Sequence, residues 1–360
     1  MSYRWVILAV GVVAQAASAA LLQGLPALAP QLRSTYGLDL HTLGLVLAAV
    51  TLGLVSTLIL WGMLADRFGE RWVMSVGLVL AAAAMLGASR AGTLAALLVW
   101  LFLAGAAGAS VNAASGRAVL GWFGPAERGF AMGVRQTALP LGAGLAAAVL
   151  PRLASLDVAF RVLAASCVVA AVAVALWVRE APSQQPGRTR GPSPLRDPRI
   201  RRLWFVSLLL VVPQFAVVAF LVVYLHDEHH VPVATAALLL TLVQFGGAAG
   251  RLVAGRWADR QGLRLGPLRR IALTVTVLFV LLAVLEEAGA PAVVPLVLVA
   301  GIVAISWNGL VFTAVGELAG PGKAGAALGL QNTAVAAGAA LTPPLLGRTV
   351  ELSNWAVAYG

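Results

Sequence analysis

Residues Gly62–Arg71 read GMLADRFGER, and residues Gly255–Arg264 read GRWADRQGLR. Six of the ten positions are identical, the pairs being Gly62/Gly255, Ala65/Ala258, Asp66/Asp259, Arg67/Arg260, Gly69/Gly262 and Arg71/Arg264. Each copy is a short charged turn between two long apolar runs. One such turn is ordinary. The same turn twice, at matching phase, points to two homologous halves of a polytopic membrane protein.

Other pairs extend that register outward. Trp5 and Gln15 match Trp204 and Gln214, and Asn112 matches Asn308. Gly129, Ala131, Gly133, Thr137 and Ala138 match Gly325, Ala327, Gly329, Thr333 and Ala334. Composition agrees: 60% of the 360 residues are apolar, 11% are charged and the mean hydropathy is +0.91, which excludes an ordinary soluble globule. The net charge of +11 does not imply nucleic acid, because the basic residues fall in alternate loops rather than one patch. Cys167, the single cysteine, allows no internal disulfide and sits within an apolar run. Trp5 to Ala20, with AQAASAA, imitates a secretory signal and its cleavage site; its counterpart opens the second half, so it reads as a retained first span.

Apolar stretches fall at about 5–28, 40–62, 72–89, 94–118, 129–150, 158–178, 203–225, 235–256, 270–286, 292–315 and 324–347. Each is long enough to cross the hydrocarbon as a helix, so the expected fold is an all-α polytopic membrane protein with eleven spans. Residues 179–202 hold Pro182, Pro186, Pro192, Pro194 and Pro198 with seven arginines, a solvated basic linker. The expected domains are an N-terminal six-helix bundle over 1–178, the linker over 179–202 and a C-terminal bundle over 203–360. By the repeat, SNWAVAYG at 353–360 falls where a sixth span of the second half should begin, and a twelfth helix is expected in a longer reading frame. With the N-terminus inside, the cytoplasmic segments hold 17 arginines and lysines and the outer ones five, which sets the expected orientation in the cell (inner or plasma) membrane.

Polar side chains are costly in lipid, so their distribution shows which spans line a wet path. Spans 3, 6 and 9 are almost bare and should be peripheral. Gln15 (span 1), Asn112 (span 4), Arg135 (span 5), Gln214 (span 7), Gln244 and Arg251 (span 8), Asn308 (span 10), and Gln331 and Asn332 (span 11) are the candidate substrate-binding residues. The amides could equally serve as interhelical hydrogen bonds. Arg117, near the end of span 4, reads as a side chain snorkelling to the interface. Arg135 reads either as a substrate ligand or as a gate residue held by carbonyls, and Arg251 as a substrate ligand. A guanidinium cannot shed its proton, and no carboxylate lies deep in a span, so an anionic substrate is the natural partner. The run His226, Asp227, Glu228, His229 and His230 reads as a solvated loop cluster. GxxxxGK[ST], HExxH and paired cysteines are absent, so ATP-driven pumping and metalloenzyme chemistry have no support; no cofactor or metal is implied.

The repeated turn, of the form G-x-x-x-D-R-x-G-x-R, resembles the signature between helices 2 and 3 of the major facilitator superfamily. The segment GWFGPAERGFAMGVRQTALPLG, Gly121 to Gly142, is similar to cyanate-permease-like members. The resemblance implies two six-helix bundles working by alternating access. It implies gating roles for Gly62, Asp66, Arg67 and Arg71, with Asp66 engaging Arg67 or Arg71 and the start of span 11. Gly255, Asp259, Arg260 and Arg264 would make the opposite pairing. Anion-transporting branches often carry an arginine in span 8 just ahead of the second turn, as Arg251 is placed. Span 4 lacks the family's frequent arginine (Val99 to Leu103 are apolar or aromatic), span 1 lacks an acid, and Pro140, Gly142 and Gly144 match an antiporter motif only in part. The coupling ion is therefore left open. The expected function is secondary transport of a small organic or inorganic anion. A broad-specificity exporter of lipophiles, or a membrane sensor that binds without transport, are the alternatives.

Overall fold

The computed structural model describes residues 3–123, 125–180, 197–261, 265–319 and 324–360; the side chains of 66, 117, 120, 125–130, 132, 259, 324–326, 328 and 329 are outside the description. The described chain is helical throughout. α1 (Tyr3–Gln23) stops earlier than the apolar run, because Gly24 and Pro26 tighten Leu25–Leu28 into a 3₁₀ turn. A short α2 (Ala29–Tyr36) follows and ends on Gly37 at φ 64°. Asp39 then caps α3 (Leu40–Phe68), its carboxylate accepting from the Thr42 N–H at 2.7 Å. After these come α4 (Glu70–Ala88), α5 (Leu94–Trp122), α6 (Pro125–Val149) and α7 (Leu156–Trp177). The second half holds α8 (Pro198–Asp227), α9 (Val233–Gln261), α10 (Leu265–Glu287), α11 (Val293–Ile305), α12 (Asn308–Ala319), α13 (Ala324–Leu352) and α14 (Trp355–Tyr359).

Nine stretches among the described residues are long and apolar enough to cross a membrane. α6 and α13, at 25 and 29 residues, have the length to do so as well. Ile59, Val253, Leu176 and Val277 lie on the molecular surface at 61–73% exposure, which suits lipid and not water. The tenth apolar run forms one candidate span, Val293–Ala319, with a break between Ile305 and Asn308 that divides it into α11 and α12.

α4 packs on α5 and α7, and α7 on α4 and α1; α10 packs chiefly on α11 and α14. The two halves meet along α3 against α13 and along α6 against α9. Gly44 and Gly347 let the first pair approach closely: a Cβ on Gly44 would lie 2.5 Å from the Pro343 carbonyl oxygen, and one on Gly347 would lie 2.4 Å from that of Leu40. The proximal end of the molecule is here the one where Tyr3 lies, and the distal end the one where α1 finishes and α3 begins. Hydrogen bonds seen between the halves cluster distally. The His41 N–H donates to Glu351 at 2.7 Å, His41 Nδ1 lies 3.1 Å from the Pro344 carbonyl, and Arg33 pairs with Asp227. Nearer mid-depth, the Thr241 hydroxyl donates to the Gly144 carbonyl at 3.1 Å. A groove of about 380 Å³ runs between α8 and α10 near α14, lined by Val206, Leu210, Ala272, Val275 and Phe279 among others. No candidate site residue lines it.

Candidate functional site

The polar residues singled out in the sequence gather in two circuits, one per half. In the first, Arg135 of α6 is 6% exposed and spends its guanidinium inside the protein. Nε donates to Ser115 Oγ at 2.9 Å and Nη1 to Gln136 Oε1 at 3.2 Å. Nη2 donates to Gln15 Oε1 at 3.1 Å and to the Asn112 carbonyl at 3.4 Å. Gln15 Nε2 in turn donates to Asn112 Oδ1 at 2.9 Å. Every acceptor is neutral. The charge is thus solvated by oriented dipoles from α1, α5 and α6 and is neutralised by none of them. Of the two readings of Arg135, the observed contacts are those of a residue held by protein oxygens.

The second circuit repeats one bond and differs elsewhere. Asn308 Nδ2 donates to Gln214 Oε1 at 2.9 Å, the counterpart of the Gln15–Asn112 bond. The register that pairs Thr137 with Thr333 places Gln331 opposite Arg135, and the one that pairs Gly62 with Gly255 places Leu58 opposite Arg251. Arg135 and Arg251 are therefore each without an arginine at the equivalent position of the other half. Gln331 is buried and donates to Ser207 Oγ, while its Oε1 has no partner. Gln244, two turns before Arg251 on α9, is 2% exposed with Nε2 unpartnered. Asn332 is exposed.

Arg251 is half-buried, and its Nε donates to the Ile305 carbonyl at 3.0 Å. That carbonyl is free because α11 ends there, so the break in the tenth run and the arginine satisfy one another. The bond uses one of five guanidinium N–H groups, and no bond of the Nη fork is seen among the described residues. No carboxylate pairs with Arg135 or Arg251 among the described residues. α6 and α9 run antiparallel and touch at Gly144 and Thr241. From that contact Arg135 lies nine residues and Arg251 ten residues toward the proximal end, about 13 and 15 Å by helical rise. The two charges share one depth, one on each side of the interface.

The repeated turns are only partly described. Gly69 takes φ 82°, a backbone conformation that favours glycine; the nearest atoms to a Cβ there would be the flexible end of the exposed Glu180 side chain, which can move aside. Arg67 and Arg71 stack on the neighbouring Phe68 and Trp72 rings at 5.3 and 5.8 Å. Gly62 and Gly255 have open space where a Cβ would be, and Arg260 is exposed near the end of α9. The side chains of Asp66, Asp259 and Arg117, and all of Arg264, lie outside the described residues, as does most of the basic linker. Of the 226–230 run, His226, Asp227, Glu228 and His230 are exposed, as a solvated cluster would be. His229 departs from it: it is half-buried, and its Nε2 lies 2.9 Å from Tyr224 Oη and 3.6 Å from Glu286 Oε2. Glu286 is remote in sequence, and nothing at the 226–230 run pointed to it.

A stack of long membrane helices in two halves, with paired polar residues in equivalent places, is the plan of a secondary-transporter fold. The comparisons with known proteins sharpen this. The Major Facilitator Superfamily model matches residues 7–343, and the chain belongs to that family. It is 39% identical to the uncharacterised MFS-type transporter Rv2994 of Mycobacterium tuberculosis, over 99% of this chain and 81% of that protein. It is 26% identical to the "Probable sulfoacetate transporter SauU" of Cupriavidus necator, over 90% of this chain and 82% of that one. Among solved structures, a bacterial homologue of the human lysosomal transporter Spinster superposes with a TM-score of 0.79 at 16% identity, covering 98% of this chain and 83% of that one. A D-xylose–proton symporter gives 0.79 at 15% identity, covering 99% and 95%. These likenesses show the fold. The protein is a membrane transporter of the family and not an enzyme.

Proposed function

We propose that the protein carries a small organic or inorganic anion by alternating access, with Arg251 as the direct ligand and Arg135 as a fixed charge facing it. The observation that carries this reading is the pair of guanidiniums at one depth, neither paired with a carboxylate and one with its fork unfilled among the described residues. A forked, always-charged donor set suits carboxylate, sulfonate and phosphate oxygens, which it can hold bidentately. The distant relative described as a sulfoacetate transporter, and the cyanate-permease-like segment at Gly121 to Gly142, support an anion in particular. In this reading the halves are 1–178 and 203–360, joined by the basic linker, with N-terminus and linker in the cytoplasm. Asp66 and Asp259, with Arg67, Arg71, Arg260 and Arg264, form the proximal gate.

The test is thermal stability of the purified protein against small carboxylates, sulfonates and inorganic anions. At least one class should raise Tm for the parent chain. Arg251→Ala should remove that rise, and Arg251→Lys should keep charge but weaken it about tenfold or more in apparent affinity. A rise of equal size in Arg251→Ala would move the site elsewhere.

A further inference from the structure

Where α8, α10 and α14 meet at the distal end, a titratable cluster lies beside the contact between the halves. Tyr224 is fully buried, and its hydroxyl donates to Glu286, whose side chain is 14% exposed. A phenol has one proton to give. With that proton on Glu286, the Tyr224 oxygen must accept from His229, so the 2.9 Å contact places N–H on His229 Nε2. Nδ1 is then the open position of the ring. The incoming proton goes there, and the imidazolium that forms lies 3.6 Å from the Glu286 carboxylate.

The cluster is wired to the contact between halves through a short stretch of chain. Asp227, two residues before His229 and last in α8, pairs with Arg33 of α2. Glu228 accepts from Trp355 Nε1 at 3.0 Å. Fixing residues 227–229 onto α10 and α14 therefore fixes the Asp227 carboxylate that α2 grips. The other groups around the cluster are accounted for. Tyr359 of α14 stacks edge-on to Tyr224 at 5.2 Å, His226 Nδ1 lies 3.1 Å from the Val231 carbonyl, and Glu287 and His230 are exposed.

We propose that His229, Tyr224 and Glu286 form a proton-binding site that tightens the distal contact between the halves as pH falls. The proton is taken from solution at His229, and the Tyr224 hydroxyl relays its charge to Glu286. A protonated His229 draws the 227–229 segment onto α10 and holds Asp227 against Arg33. The site gives the carrier a pH-dependent bias toward its distally closed state, whichever solute it moves.

Pulsed electron–electron resonance tests this, with spin labels on Thr35→Cys and Ala234→Cys in a Cys167→Ala background of the full chain in nanodiscs. Going from pH 8 to pH 5.5 should raise the ratio of short-distance to long-distance population at least threefold. His229→Gln and Tyr224→Phe should each abolish that response, and Arg33→Gln should lose the short distance at both pH values. His41 also lies at this end, near Asp39, Arg348 and Glu351, so His41→Gln is the control and should leave the response intact. A pH-independent distribution in the parent, or a response lost in His41→Gln and kept in His229→Gln, would overturn the proposal.

Discussion

At the scale of single residues, Arg135 and Arg251 look alike in sequence and differ in what they can do. Arg135 is fastened by Gln15, Ser115, Gln136 and the Asn112 carbonyl, so its removal leaves buried acceptors without donors. Each unpaired buried group costs about 1–3 kcal/mol. Arg135→Ala should therefore lower the apparent thermal stability even without ligand, and by more than Arg251→Ala, which gives up only the bond to the Ile305 carbonyl. Melting curves of the two variants side by side check this, and equal losses would show that Arg251 is as structural as Arg135. Gln331 takes the matching place in the second half as a neutral amide, which is why one half carries its charge on the fifth span and the other on the eighth.

At the scale of elements, start and stop signals decide where the helices sit. Asp39 begins α3 at the distal contact, and bonds from Thr42, its hydroxyl and then its N–H, hold the carboxyl below the usual range, with smaller help from His41 and Arg348. A carboxyl lowered on folding stabilises the fold above its unfolded value near pH 4, and the contribution fades as pH falls through the lower folded value. Asp39→Ala should cost about 0.5–2 kcal/mol at pH 7 through loss of the cap. The difference between variant and parent should shrink below about pH 4. A difference that stays constant down to pH 3 would remove the cap from the account. The turn at Gly24 and Pro26 was legible in principle, since both residues are breakers inside an apolar run. The break after Ile305 was not: Ser306, Trp307 and Asn308 contain neither glycine nor proline, and the group that meets the freed carbonyl, Arg251, comes from another helix.

For the whole molecule, the sequence announced most of the fold because duplication leaves identities that no single helix would show. Register alone made Gln15 the equivalent of Gln214 and Asn112 that of Asn308, and within each half the glutamine and the asparagine share a hydrogen bond of 2.9 Å. What could not be read are contacts between residues far apart in the chain with no periodicity to link them. Tyr224 and Glu286 are 62 positions apart, and Arg33 and Asp227 are 194. The packing of His229 within an otherwise exposed run was not legible for the same reason, since a loop residue reads as solvated until its packing partner is known. Polar counts separated the bare third, sixth and ninth spans from the rest, because burial in lipid penalises polar groups whatever the tertiary details.

The central claim is that an anion is carried through a site that includes Arg251, and counterflow in proteoliposomes tests it most directly. Vesicles loaded with the anion that raises Tm should accumulate the labelled anion from outside, and Arg251→Ala vesicles should not. Asp66→Asn, at the proposed gate, should still be stabilised by the anion yet exchange little. Binding without any counterflow in the parent, or counterflow unchanged by Arg251→Ala, would contradict the account.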